Sequence, residues 1–151
     1  MAESDLEQVV SIERECLLSS YGEERYLKLL SDRSSLMLVA VEPDLENRKR
    51  QIVGLFSAFI VVDEVQIDNV AVTMRLRRRG IASRLLEEGL TIACQRGARD
   101  AVLEVRSANL PARLLYELHG FTVSGIRRDY YHDPTDDALI MTRKLDLTQR
   151  R

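Results

Sequence analysis

The sequence predicts an α/β domain whose central sheet is mixed and mostly antiparallel, with helices on its faces. Residues 65–97 pass from an alternating strand through an arginine-rich turn into a helix with one apolar face. Strand-like segments precede this stretch and are joined by short connections, which favours antiparallel pairing. A strand also follows the helix, and a helical crossover between two strands makes them a parallel pair in the middle of the sheet.

Composition supports a single domain over residues 1–151. The chain is 45% hydrophobic and 30% charged with a net charge of −2, which suits one core and argues against a general polyanion binder. We therefore expect no direct nucleic-acid binding. Cys16 and Cys94 lack C-x-x-C spacing and are interpreted as reduced thiols. With no signal-peptide pattern and no apolar run of bilayer length, we expect a cytoplasmic protein with no membrane partner.

The N-terminal third predicts two helices and two strands. Ser4 and Glu7 have capping-box spacing at the start of the first helix. A second, shorter helix ends near Asp32, and strands follow over residues 35–42 and 51–62, with a polar loop at residues 43–50 between them. Gly54 indicates a bulge. The first helix is expected to bury Leu6, Val9, Val10, Cys16 and Leu17.

The turn at residues 77–82 predicts a phosphate cradle. A strand entering a helix through R-R-R-G-I-A presents unpaired backbone N–H groups and the positive end of the helix dipole. Gly80 has no side chain to keep a ligand away, and the adjacent arginines add positive charge. A solvated charged face is the alternative interpretation. The helix is expected to end at Gly97.

The C-terminal third predicts a strand at residues 100–106, a helix at 110–118, and strands at 121–128 and 138–145. A long loop, Asp129 to Asp137, joins the last two strands. In the helix, one apolar stripe is expected to face the core, which puts Tyr116 on the opposite side with Arg113 and Asn109. This predicts a polar site, with a half-buried structural tyrosine as the alternative. The stripe consists of Pro111, Leu114, Leu115 and Leu118.

A carboxylate lies in the middle of the strand at residues 100–106. The two-residue period puts Glu104 on the face shared by Val102 and Arg106. A carboxylate in this position loses hydration and is unfavourable in a strand. It is interpreted as a general base, with an edge or solvent-facing glutamate, or one paired with Arg106, as the alternatives.

Several motifs together resemble a known family. R-R-R-G-I-A matches the [QR]-x-x-G-x-[GA] loop of the GCN5-related N-acetyltransferases (GNAT). L-E-V-R-S-A-N, A-R-L-L-Y-E-L-H-G-F, R-R-D-Y-Y and D-D-A-L-I-M resemble the bacterial ribosomal-protein-alanine N-acetyltransferases within that superfamily. The resemblance implies a GNAT-like sheet whose parallel strands splay at an acetyl-CoA site. It also implies transfer of an acetyl group to a protein N-terminus, such as that of a ribosomal protein.

The resemblance also implies roles for particular residues. Glu104 corresponds to the family's proton acceptor and Tyr116 to the proton donor for the departing thiolate. Tyr130 and Tyr131 correspond to a loop that closes over the first residues of the substrate. The acetyl-CoA contacts implied are Val70, Ala71, Val72, Arg77, Arg78, Arg79, Gly80, Ile81, Ala82, Ser83 and Asn109.

Two segments depart from the family pattern. Residues 19–23 replace an aromatic segment on the expected peptide side, and residues 73–76 replace a proline-containing turn. Alternative functions are therefore acetylation of a lysine or a small amine, a non-catalytic CoA-binding module, and an RNA-associated protein. His119 and His132 show no metal-ligand spacing, so no metal site is expected.

Overall fold

The computed structural model describes residues 1–18, 22–44, 46 and 49–146. Within them a six-stranded sheet has the order β1-β2-β3-β4-β6-β5. Only β3 and β4 pair in parallel, and the other neighbours are antiparallel. The predicted mixed α/β architecture is confirmed. The strands are β1 (Ser35–Pro43), β2 (Arg50–Val61), β3 (Glu64–Val72), β4 (Asp100–Arg106), β5 (Thr122–Tyr131) and β6 (Asp136–Lys144).

The sheet is covered on both faces. The helices are α1 (Leu6–Glu15), α2 (Gly22–Ser31), α3 (Ile81–Gln95) and α4 (Leu110–Leu118). Side chains alternate along β2, so that Leu55 belongs to the core cluster formed with α1 and α2 and Phe56 to the one formed with α3. Helix α3 lies very close to the sheet at Gly89, where a Cβ would come within 2.4 Å of Phe56 Cζ.

The parallel strands β3 and β4 separate at the point where the candidate functional site begins. Their pairing ends at Ile67 and Leu103, whereas β3 continues to Val72 and β4 to Arg106. A register shift between Ser57 and Ala58 leaves Asp68 as an extra residue in β3, directly after this point, and such a bulge bends the strand. The C-terminal part of β3 therefore has no partner strand on its β4 side. This is the splayed parallel pair that the resemblance implied.

Several local predictions were correct. The helix at residues 110–118 and the strand at 100–106 begin and end as predicted, and β1 and β2 pair with a bulge beside Gly54. A single 3-10 turn, Met74–Leu76, occupies the segment that replaces the proline-containing turn. In the two loop regions noted in the sequence, residues 19–21, 45, 47 and 48 lie outside the described part of the chain.

Other local predictions were wrong. The Ser4–Glu7 capping box does not form: Ser4 lies inside a 3-10 turn, Glu3–Asp5, and Asp5 Oδ2 accepts a hydrogen bond from the backbone N–H of Ala2 at 2.7 Å. Leu17 follows the end of α1 with a positive φ of 54° and is 92% exposed. The predicted 129–137 loop is shorter, since β5 extends to Tyr131.

Candidate active site

A cleft of about 580 Å³ opens where β3 leaves the sheet. The end of β3, the turn before α3 and the first turn of α3 form one side, and α4 forms the other. Sequence-predicted cofactor residues in its lining are Val70, Ala71, Val72, Arg77, Arg78, Gly80, Ile81, Ala82, Ser83 and Asn109. The structure thus brings together every predicted cofactor residue except Arg79 in one cleft.

The turn into α3 has the backbone conformation of an anion cradle. Gly80 immediately precedes α3 with φ 80° and ψ 4°, and Arg78 also has a positive φ of 65°. A Cβ at Gly80 would have no heavy atom within 4 Å, so the space in front of this residue is open. The first N–H groups of α3 have no partner within the helix and point toward the cleft end of its axis. Together they favour a bound anion.

The neighbouring arginines differ in what they contact. Arg77 folds back onto the protein, where Nε donates to the carbonyl oxygen of Val72 at 3.2 Å and Nη2 lies 3.4 Å from Cys16 Sγ. Arg78 lines the cleft. Arg79 is exposed and is absent from the cleft lining. Arg77 therefore stabilises the end of β3, and Arg78 is the arginine best placed to meet a ligand.

Helix α4 turns most of the predicted stripe away from the core, although Leu115 packs against the core as predicted. Tyr116 packs into the core at 8% exposure, with its ring edge-on to Phe121 at 5.9 Å between centroids. Leu114 and Leu118 are instead 60% and 79% exposed and line the cleft. The amphipathic pattern did not identify the buried face correctly, because both faces of α4 are apolar. Ala112, Leu115 and Tyr116, which pack in or against the core, have helical spacing as well.

Tyr116 keeps its proton over the physiological range. Burial raises the pKa of its hydroxyl to about 12, and the nearby Tyr131 adds to the rise. Asn109, at the other end of α4, caps the helix, because its Oδ1 accepts from the backbone N–H of Ala112 at 3.3 Å. Asn109 therefore has a structural role in addition to lining the cleft.

Glu104 lies on the opposite face of β4 from Leu103 and Val105, which belong to the core under α3. Its side chain is 31% exposed, and Oε1 forms an ion pair with Arg127 Nε at 3.1 Å. The predicted pairing with Arg106 is wrong. The Arg106 guanidinium donates to the carbonyl oxygens of Pro134 and His132, at 3.0 and 3.4 Å.

Two tyrosines at the end of β5 lie in the same region as the Glu104–Arg127 ion pair. The rings of Tyr130 and Tyr131 meet edge-to-face at 5.1 Å, and the Arg106 guanidinium lies 4.2 Å from the Tyr131 ring centroid. Burial raises the pKa of Tyr131, and the Glu104 carboxylate raises it further. Arg127 links the tyrosine pair to Glu104, because its guanidinium lies 5.6 Å from the Tyr130 ring centroid and forms the ion pair with the carboxylate. Glu104, Tyr130 and Tyr131 therefore lie in one region, whereas the cleft lining includes Tyr116 and none of these three residues.

The cleft suits the acetyl-CoA that the sequence resemblance implies. Its turn offers backbone N–H groups and Arg78 for a diphosphate, and the unpaired edge of β3 offers peptide groups for the amides of the pantetheine arm. Exposed leucines of α4 provide apolar contact along the opposite wall. Within the described residues no group of three or more potential metal ligands occurs, and no helix has the length and apolarity to cross a membrane.

Sequence reasoning missed several residues of the site. Arg127 pairs with Glu104 across the sheet, and Cys16 and Leu18 line the cleft from beyond the end of α1. Arg127 carried one signal, since it belongs to the R-R-D-Y-Y motif that also contains the two tyrosines. Cys16 and Leu18 carried none, because their place depends on how α1 packs against the sheet.

Comparisons with known proteins identify the type of enzyme. The acetyltransferase (GNAT) family model matches residues 6–121. The ribosomal protein bS18-alanine N-acetyltransferase of Escherichia coli (strain K12) is 39% identical over 94 residues, which are 58% of this chain and 64% of that enzyme. An N-alpha-acetyltransferase of Saccharolobus solfataricus is 30% identical over 151 residues, covering 93% of this chain and 88% of that protein.

A solved structure has the same fold. The crystal structure of the ribosomal-protein-S18-alanine N-acetyltransferase from Escherichia coli superposes with a TM-score of 0.83 at 26% sequence identity. The superposition covers 100% of this chain and 94% of that one.

Proposed function

The chain belongs to the acetyltransferase (GNAT) family and is an N-acetyltransferase that uses acetyl-CoA, and within this activity we propose that its acceptor is a protein α-amine. The proposed substrate is a protein N-terminus that begins with a small residue such as alanine, as in a ribosomal protein. The relatives named above act on alanine of ribosomal protein bS18 or are named for N-alpha-acetylation.

One observation carries the proposal: Tyr116 lines the cleft at the splayed end of the parallel strands, and Glu104 directly follows Leu103, the last β4 residue paired with β3. A protonated hydroxyl therefore lies in the cleft proposed for acetyl-CoA, and a carboxylate lies on β4 just beyond the point where the two strands separate. The aromatic pair Tyr130 and Tyr131 lies in the same region as Glu104. We propose that this aromatic pair favours a chain end over a bulky internal segment.

Glu104 is the proposed base. An α-amine with a pKa near 7.7–8.0 is roughly a tenth neutral at pH 7, whereas a lysine near 10.4 is neutral to only about 0.04%. One carboxylate acting through a water is therefore sufficient for the α-amine and a poorer match for lysine. Arg127 holds this carboxylate at 3.1 Å, so we expect the incoming ammonium group to compete with Arg127 for Glu104.

Tyr116 is the proposed partner of the leaving sulfur. Bound acetyl-CoA supplies an acetyl thioester at this position, and its transfer leaves a thiolate. A hydroxyl with a pKa of about 12 gives up its proton less readily than a thiol near 8.5. Tyr116 therefore stabilises the developing negative charge by donating a hydrogen bond rather than by losing its proton.

The proposal is tested by offering acetyl-CoA with three acceptors. They are a peptide with a free N-terminal alanine, the same peptide N-blocked and containing lysine, and a small polyamine. We expect acetylation of the free-alanine peptide on its α-nitrogen, located by fragment mass spectrometry. Equal rates on the blocked peptide or the polyamine would overturn the α-amine assignment and favour the lysine or small-amine alternative.

A further inference from the structure

A serine, a histidine and a glutamate form a connected group at the phosphate end of the cleft. Ser83, in the first turn of α3, lines the cleft, and its Oγ lies 2.9 Å from His119 Nε2. On the other side of the ring, His119 Nδ1 lies 3.6 Å from Glu87 Oε1, one turn further along α3. The His119 side chain is only 9% exposed. None of the roles assigned above uses His119 or Glu87.

Hydrogen-bond polarity limits how this group can be protonated. A carboxylate only accepts, so Glu87 favours the tautomer with a proton on Nδ1. In a neutral imidazole Nε2 is then an acceptor, and the Ser83 hydroxyl directs its hydrogen at His119. The Ser83 oxygen in that state offers only lone pairs to the cleft, which opposes a bound phosphate oxygen.

An anion in the cleft reverses that preference. To donate to a phosphate oxygen, the Ser83 hydroxyl must rotate toward the cleft, and its oxygen is then free to accept from His119. Nε2 can donate only if it also carries a proton, so His119 takes one from solvent and becomes an imidazolium. The imidazolium then faces the Glu87 carboxylate through Nδ1 and donates from Nε2 to Ser83, which in turn donates to the phosphate.

We propose that Ser83, His119 and Glu87 act as one unit of the cofactor site, in which His119 takes up a proton when the diphosphate of acetyl-CoA binds. The proposal rests on the assignment of this cleft to acetyl-CoA. His119 is a positioning residue here, because it acts through the Ser83 hydroxyl.

Two charged groups of opposite sign lie near His119. Glu87 of α3 faces Nδ1, and Arg143 of β6 lies against Gly120, the residue after His119, with Nε 3.7 Å from where a Cβ would be. Arg143 keeps its charge at every pH of interest, and histidine side chains commonly change charge between pH 5 and 8. Because proton uptake is coupled to binding, the affinity for acetyl-CoA should rise as the pH falls, by at most tenfold per pH unit for one proton.

The test is calorimetric and needs no turnover. Acetyl-dephospho-CoA, which lacks the 3′-phosphate, is titrated into the full-length protein at pH 7 in buffers of different ionisation enthalpy. The 3′-phosphate is removed because a phosphomonoester also titrates near pH 6. The dependence of the observed enthalpy on the buffer gives the number of protons taken up. The chain has two histidines, so His132→Gln is the matched control.

We expect the parent and His132→Gln to take up a fraction of a proton and to bind more tightly at pH 6 than at pH 8. His119→Gln should bind well without proton uptake, since an amide NH₂ donates to Ser83 at any pH. His119→Leu and Ser83→Ala should each bind about tenfold more weakly, because a hydrogen bond to a charged group is lost. The double variant should be no weaker than either single variant.

Unchanged proton uptake in His119→Gln, or additive losses in the double variant, would overturn this inference while leaving the acetyl-CoA site intact. Failure of the parent to bind the ligand would overturn the site itself. Preference for lysine over an α-amine would overturn only the proposed acceptor, because the calorimetric experiment contains no acceptor.

Discussion

Replacing Gly80 with glutamate tests the anion cradle, because it adds a side chain and a negative charge at the start of α3. Gly80 has φ 80° and an unobstructed Cβ direction, so the variant protein has room for the side chain. The matched control is Gly97→Glu. Gly97 lies just beyond the other end of the same helix, with φ 101° and no heavy atom within 4 Å of where a Cβ would lie.

The two variants should lose similar amounts of stability, but only Gly80→Glu should lose affinity for acetyl-CoA. A left-handed conformation costs a non-glycine residue about 1–2 kcal/mol, which corresponds to a fall in Tm of roughly 2–8 °C for a chain of this size. A carboxylate about 5 Å from one phosphate charge is repelled by about 3 kcal/mol at an effective dielectric constant of 20. Exposure of Gly80 reduces this toward about 1 kcal/mol, so we expect a loss of acetyl-CoA affinity between about 5-fold and 150-fold.

Gly97→Glu should bind like the parent. The 15 residues of α3 span about 22 Å, which exceeds the Debye length of roughly 8 Å at physiological salt. Calorimetry with acetyl-CoA measures the affinities, and thermal unfolding measures stability. Added salt should recover part of the loss in Gly80→Glu. Equal affinity in the two variants would refute the assignment of a diphosphate to this turn.

Four further predictions concern catalysis and stability. Glu104→Gln should lower turnover by about a hundredfold or more, most strongly at low pH where less of the amine is neutral, and a parent-like pH–rate profile would contradict the base assignment. Tyr116→Phe should lower kcat with little change in acetyl-CoA affinity. Because burial raises the pKa of Tyr116 from 10 to about 12, its contribution to stability is present below pH 10 and is lost as the pH rises toward 12. Denaturant unfolding should show that the parent's free energy of unfolding falls by about 3 kcal/mol between pH 10 and pH 12, and that this contribution is absent in Tyr116→Phe. Gly89→Ala should destabilise the protein by about 1–3 kcal/mol, since the new methyl would lie 2.4 Å from the fully buried Phe56 ring; an unchanged Tm would contradict the close packing of α3.

The order of elements could be predicted because each carries a local signal. The strand–turn–helix at residues 65–97 has its periodicity, glycine and charges in one contiguous stretch, and β3, the turn and α3 follow it closely. The parallel pairing of β3 and β4 then follows from the length of the crossover. Most of the candidate cofactor residues were predictable for the same reason, since they belong to one short segment.

The contacts between distant segments could not be predicted in this way. Which face of α4 is buried depends on the packing of Tyr116 against Phe121. The other face carries leucines and is equally apolar, so the sequence pattern alone did not distinguish the two faces. The Glu104–Arg127 ion pair depends on strand order, because β6 lies between the strands that carry the two residues. Arg77 was expected to meet a ligand, whereas the carbonyl oxygen of Val72 is within its reach.

Acetylation in the cell is the most direct test of the proposed α-amine acceptor. The N-terminal peptides and intact masses of cellular proteins are compared between cells with and without the gene for this chain. We expect one or a few proteins with a small first residue, a ribosomal protein among them, to lose a single acetyl group from the α-nitrogen. Unchanged N-terminal acetylation, with acetyl groups lost from lysine side chains or small amines instead, would contradict the proposal.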